Sequence, residues 1–188
     1  MVEIGAAMTA ADWPYPAPAD DGAADHLTLG LVVPDIELPS TDGGAVSLAR
    51  LDKGAVVFIY PWTGRPGLPN PPGWDEIPGA HGSTPQALGF QDLLPEFVRL
   101  GVSVFGVSGQ THEDQRAFAA RAGLTFPLLS DADGRLQDAL NLPTFETGGV
   151  RYLSRLTLVT GAGKIARVFY PVHPPDRHAA DVLQALAG

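Results

Sequence analysis

Residues 55–60, Ala55-Val56-Val57-Phe58-Ile59-Tyr60, form a continuous apolar run rich in β-branched and aromatic side chains. Such a run predicts a strand buried on both faces of a central sheet. Before it, Asp35-Ile36-Glu37-Leu38 alternates polar and apolar, as a half-buried strand does. Turn residues at 40–44 and a second short strand at 46–48 complete a predicted hairpin. After it, Leu88, Phe90, Leu93, Leu94, Phe97 and Val98 recur at helical spacing. Pro95 lies inside that pattern, so a kink or two short helices is predicted. Residues 102–107 are again an apolar strand, 113–122 a helix capped by Thr111 and ended by Gly123, and 126–129 a short strand. A turn at 130–134 leads into a short helix at 135–140. Strands at 155–160 and 164–170 are joined by Gly161-Ala162-Gly163, and a helix at 176–186 follows, with Asp176 as its expected cap. Strands alternating with helices, then an antiparallel pair, predict an α/β fold: a mixed central sheet with helices on both faces.

Two segments stand apart from this pattern. Residues 1–26 are rich in Ala, Pro and Asp and predict an extended arm ahead of a domain spanning 27–188, with Trp13 and Tyr15 as its contact points. Residues 61–82 are crowded with Pro and Gly and show no period. An unstructured loop of about 20 residues is unusual in a small domain and is often functional. Trp74 is its expected anchor.

Composition narrows the chemistry. A formal charge of −9 argues against nucleic acid or an anionic membrane as partner. No run of about 18 apolar residues is present to cross a bilayer. The first 25 residues lack the basic and apolar regions of a secretion signal, so a cytoplasmic location is expected. Five histidines are scattered without metal-binding spacing, and neither metal nor cofactor is expected. Cysteine is absent, which removes thiol chemistry from the molecule as written.

One local feature carries chemistry. Ser83 opens the helix that follows the apolar strand and the Pro/Gly loop. Free N–H groups and the positive end of the helix dipole favour an anion there. The plainer reading makes Ser83 or Thr84 an N-cap, with Pro85 in the first turn.

Six segments in order resemble the peroxiredoxin family, and within it the peroxiredoxin Q or bacterioferritin-comigratory-protein type. They are 34–48, 56–61, 82–92, 101–108, 126–131 and 155–159. Gly82-Ser83-Thr84 stands where the family has Gly-Cys-Thr at the start of its active-site helix. The resemblance implies a thioredoxin-like fold with an added N-terminal hairpin. It also implies thiol-dependent reduction of hydrogen peroxide or organic hydroperoxides. Carried over by position, Ser83 occupies the place of the peroxidatic cysteine, Arg155 that of the family's arginine, and Pro61 that of the loop proline. The family threonine position holds Ala80, and Thr63 is the candidate to supply that hydroxyl. Residue 88, where many members have a resolving cysteine, is Leu88, so the implied partner is an external thiol: a thioredoxin- or glutaredoxin-like protein or a small thiol. A monomer or homodimer is expected. With serine at 83 the chain is expected to be inactive. Either a cysteine has been replaced in an otherwise active enzyme, or the chain is a non-catalytic binding protein that has lost it. A serine hydrolase is a weaker fit, because Gly-x-Ser-x-Gly is absent: Pro85 stands where the second glycine belongs.

Overall fold

The apolar run forms β3 (Ala55–Ile59), every residue of which is buried. It is central because it is paired on both sides, parallel to β4 (Ser103–Ser108) and antiparallel to β8 (Leu156–Gly161). With β5 (Leu128–Ser130) and β9 (Lys164–Phe169) outside them, the strand order is β5-β4-β3-β8-β9. The structure is a computed structural model and describes residues 12–188; the part of the expected arm within 1–11 lies outside the described residues.

The two-residue period of β3 sorts its side chains between two cores. Val56, Phe58 and Tyr60 face α1 (Ser83–Asp92), α2 (Leu94–Arg99), α3 (His112–Ala122) and α5 (His178–Ala187), packing with Ala87, Phe90, Phe97, Phe118 and Val182. Val57 and Ile59 face the other way, onto Leu136 and Leu140 of α4 (Arg135–Leu140) and Leu38 of β1 (Glu37–Pro39). The expected helices on both faces are thus distributed four and one. Burying each such large apolar side chain contributes about 1.5–3 kcal/mol.

The break expected at Pro95 is there: α1 ends at Asp92, Leu93 leaves helical geometry, and Pro95 sits in the first turn of α2. Thr111 caps α3 by accepting from the Asp114 N–H, and Gly123 ends it with φ 66°. β1 pairs with β2 (Ala45–Ser47) as the expected hairpin, but as a separate two-stranded ribbon.

Three expectations are corrected. Asp176 does not cap the last helix: α5 begins at His178, and Asp176 Oδ1 is buried without a partner. The Pro/Gly loop contains one 3₁₀ turn, Trp74–Glu76. A further hairpin, β6 (Thr144–Thr147) with β7 (Val150–Leu153), occupies a stretch for which no element was predicted.

Residues 12–27 contain no helix or strand, yet they lie against the domain. Ala24 and Leu27 join the core, His26 bonds the Leu140 carbonyl, and the Pro16 carbonyl accepts from Gly79 N–H.

Candidate functional site

The site forms where the apolar strand's loop meets the start of α1. Gly82 precedes the helix with φ 108°, a left-handed conformation that favours glycine. A Cβ there would also collide with Pro175 and Trp13. Neither Ser83 nor Thr84 is the N-cap; Ser83 is the first helical residue and its side chain makes no cap bond. Its hydroxyl is instead turned toward Arg155.

Arg155 stands immediately before β8, and alternation along that strand places Arg155, Thr157 and Val159 on the face that packs against α1 and α5. Its Nη2 donates to Ser83 Oγ at 3.1 Å and Nη1 to Gln86 Oε1 at 2.6 Å. The same Nη2 also faces the carbonyls of Ala80 at 3.2 Å and His81 at 3.1 Å. One nitrogen with two protons shares them among more acceptors than it can fully satisfy. Nε has no acceptor.

All these partners are neutral. No carboxylate pairs with Arg155 among the described residues. Burial pushes its guanidinium down to about 9, so it remains charged at neutral pH. His178, behind it, is pushed down to about 3, first by burial and then by the charge of Arg155. Its ring therefore stays neutral at pH 7, and Nε2 meets Thr157 Oγ1 at 2.8 Å. The site holds one buried positive charge that no carboxylate among the described residues pairs with, although Asp21 lies in the wall of the cavity that Arg155 borders.

A cavity of about 180 Å³ opens over Ser83, with Thr63, Trp62 and Trp74 in its walls. Trp74 is buried, as the anchoring role requires, and packs edge-on against Trp62 and Tyr152 and at a tilt to Phe145. The Pro/Gly loop and the β6–β7 hairpin thus share a small aromatic core that roofs the site. Thr63 lies in the cavity wall, but its N–H and hydroxyl both donate to Gln110 Oε1, at 3.1 and 3.2 Å. Pro61 is buried and lines a neighbouring cavity of about 210 Å³ with Trp62 and Gln110. Ser83 and Arg155 are therefore directly bonded, Thr63 shares the cavity over Ser83, Pro61 lines the cavity next to it, and Arg155 borders a separate cavity of about 310 Å³ with Asp21 in its wall. His81 is turned to Asp75, 2.7 Å away, and no histidine hydrogen-bonds Ser83, so no hydrolase-like pair forms. Gln86 was not anticipated, although its position three residues after Ser83 puts both on one helix face.

Comparison with known proteins identifies the family. The chain matches the AhpC/TSA family over residues 78–167. It is 32% identical over 150 residues to peroxiredoxin bcp1 of Schizosaccharomyces pombe, covering 78% of this chain and 69% of that one. The chain belongs to the peroxiredoxin family. Chloroplastic peroxiredoxin Q of Sedum lineare is 30% identical over 162 residues, covering 85% of this chain and 78% of the relative. Among solved structures, the C47S mutant of Xylella fastidiosa PrxQ superposes with a TM-score of 0.70 at 26% identity, covering 86% of this chain and 96% of that one. The bacterioferritin comigratory protein of Xanthomonas campestris gives 0.67 at 28% identity, covering 85% and 98%. The thioredoxin-like fold of a peroxiredoxin follows. With no cysteine anywhere, this peroxiredoxin lacks the thiol that its family's peroxidase chemistry uses.

Proposed function

We propose that the cavity at the start of α1 is a peroxiredoxin peroxide site in which Ser83 stands for the peroxidatic cysteine and Arg155 is the charge-stabilising donor. The observation that carries this reading is the 3.1 Å bond from Arg155 to Ser83 Oγ, made across 72 residues of chain at a helix N-terminus. With sulfur at that position, the helix start and the guanidinium lower the thiol pKa, and more thiolate is present at neutral pH. The thiolate attacks the terminal oxygen of a hydroperoxide, the O–O bond breaks, and an alcohol or water leaves as a sulfenic acid forms. Two equivalents of an external thiol then return the sulfenic acid to the thiol, releasing water and a disulfide. Arg155 stabilises the charge that develops on the leaving oxygen. Thr63 and Pro61 act as wall and backing of the pocket. The Xanthomonas campestris relative is described by its alkyl peroxide reduction activity, which favours organic hydroperoxides as the class.

Serine has no such oxidation ladder, and its alcohol is un-ionised near neutral pH. The chain as it stands is inactive as a thiol peroxidase. Ser83→Cys is the direct test: consumption of tert-butyl hydroperoxide with dithiothreitol, thioredoxin or glutaredoxin as donor should appear in the variant and be absent from the parent. A cysteine variant that consumes no peroxide with any of the three sinks the enzyme reading.

A second reading has its own support. Both positions where the family's cysteines would stand, 83 and 88, hold other residues, and no thiol remains elsewhere. On this reading the pocket persists for binding alone, and Ser83→Cys leaves that binding unchanged.

A further inference from the structure

Four residues, Gly79-Ala80-His81-Gly82, carry the chain from the roof loop to Ser83. On one side their backbone holds Arg155, whose Nη2 faces the carbonyls of Gly79, Ala80 and His81 at 3.4, 3.2 and 3.1 Å. Little inside the segment fixes it. One turn bond, from Ala80 N–H to the Ile77 carbonyl at 3.1 Å, ties it to the loop. Gly79 and Gly82 have φ of 78° and 108°, and glycine leaves a chain free to adopt many other conformations. Gly82 also stands at the N-cap of α1 and has no side chain with which to cap it. The placement of the three carbonyls, and with them of the guanidinium, has to come from neighbours.

The arm supplies them. The Trp13 ring packs on Gly82, where a Cβ would lie 2.9 Å from it, and Pro175 closes the other side. The Tyr15 ring stacks on His81, with centroids 3.6 Å apart and planes within 11°. The Pro16 carbonyl accepts from Gly79 N–H at 3.3 Å, and the Pro18 ring lies against the same glycine. The contacts run antiparallel, 13 to 82, 15 to 81, 16 and 18 to 79, and Trp13 and Tyr15 brace each other at 6.1 Å. No hydrogen bond joins the arm to Arg155 itself among the described residues. Neither Trp13 nor Tyr15 lines the cavity over Ser83. The arm's route to the site is the backbone of 79–82.

We propose that Trp13 and Tyr15 are positioning residues: by clamping 79–82 against Arg155 they hold the guanidinium on residue 83. They touch no reacting atom. The inference rests on the reading of residue 83 and Arg155 as a charge-stabilising pair, and it gives the arm a part in that pair.

The test uses the full chain carrying Ser83→Cys, whose one thiol can be titrated without any turnover. Its pKa is read from thiolate absorbance and from the pH dependence of alkylation by iodoacetamide. The thiol should titrate well below the ordinary value of about 8.5. Adding Trp13→Ala and Tyr15→Ala together should move it back up, cutting the thiolate present at about pH 6 by roughly fivefold or more. Tyr15→Phe, which keeps the stacked ring, should leave it in place. So should Tyr170→Phe, which releases Asp21 at the arm's other tie. Arg155, His81, Asp75, Asp21 and His178 keep their charges in all these variants. Uncovering a thiol to water lowers its pKa, so a rise reads the displaced guanidinium.

Circular dichroism and urea melts check folding. Amide exchange gives a second reading in the parent chain: Tyr15→Ala should speed it at 79–82 and leave 55–59 unchanged. A thiol near its ordinary value in Ser83→Cys alone overturns the inference. So does a loss of stability in the arm variants with neither the thiol nor exchange at 79–82 altered, which makes the arm merely structural. A peroxide-inactive Ser83→Cys protein whose thiol responds to the arm sustains the inference and overturns the enzyme reading. An active one whose thiol ignores the arm does the reverse.

Discussion

The sheet and the roof hold the site by different means. Beneath it, β3 and β8 are buried throughout or nearly so, with full backbone pairing and a core of interlocked rings such as Phe58 on Phe90 at 4.6 Å. Above it, residues 65–70 are exposed, and the loop is held by Trp74, its ring neighbours and a hydrogen bond from Thr147 Oγ1 to the Pro72 carbonyl. Ser83 and Arg155 belong to the first region; Trp62 and Trp74 belong to the second. Fixing charge needs a stiff frame, because misplacement of a donor costs electrostatic stabilisation directly. Admitting a ligand needs a wall that opens below the global unfolding free energy, which sparse contacts provide.

The sharpest test of that contrast is Phe58→Ala. It empties the helix-side core and should cost about 3–5 kcal/mol of global stability in denaturant melts followed by far-UV circular dichroism. Trp74→Ala should move that midpoint much less while raising amide exchange across residues 61–82. Equal shifts would break the distinction and make roof and sheet one cooperative unit. Next comes Arg155→Met in the Ser83→Cys background, which should lower kcat/KM for hydroperoxide by roughly 10²–10³-fold, the usual cost of an electrostatic donor. A loss confined to KM would move Arg155 from the reacting centre to ligand capture.

A smaller effect comes from His178. Its folded value of about 3 lies below the ordinary 6.5, so the unfolded chain takes up a proton first as pH falls. Its contribution is intact above about 6.5 and is lost as pH drops toward 3, amounting to about 2 kcal/mol by pH 5. Urea midpoints at pH 7 and 5 should therefore differ less in His178→Gln than in the parent. The smallest is Tyr15→Ala, which removes the ring stacked on His81 at 3.6 Å and should cost about 0.5–1.5 kcal/mol in thermal melts. A larger loss would place the arm with the sheet rather than with the roof.

The same contrast separates what was legible in the sequence from what was not. β3, β4 and β8 stand out as apolar runs because burial on both faces leaves no room for polar side chains. The α1–α2 break is announced by Pro95. Ser83 stands out locally, at a helix start after a buried strand, but Arg155 was reached by resemblance, since no local pattern links residues so far apart. The β6–β7 hairpin escaped because only Leu153 of its strand residues is buried and apolar side chains are interrupted by Thr144, Glu146, Thr147 and Arg151, although Gly148-Gly149 between Thr147 and Val150 is a turn signal of the expected kind. The packing of the arm was only partly legible because it is carried by scattered residues, Tyr15 on His81 and Ala24 in the core among them. Asp176 failed as a cap because the chain is still turning through Arg177 when the helix begins.

The chain has three tryptophans, and all three surround the start of α1: Trp13 beside Gly82, Trp62 and Trp74 in the cavity wall. None lies in the sheet or its cores. Intrinsic fluorescence in this protein is therefore a local optical probe of the pocket rather than a measure of global folding. Its emission should respond to an occupant before any label is attached. A fluorescence-monitored melt would trace the roof, while circular dichroism traces the sheet, and the gap between the two curves would measure how tightly the pocket is coupled to its frame.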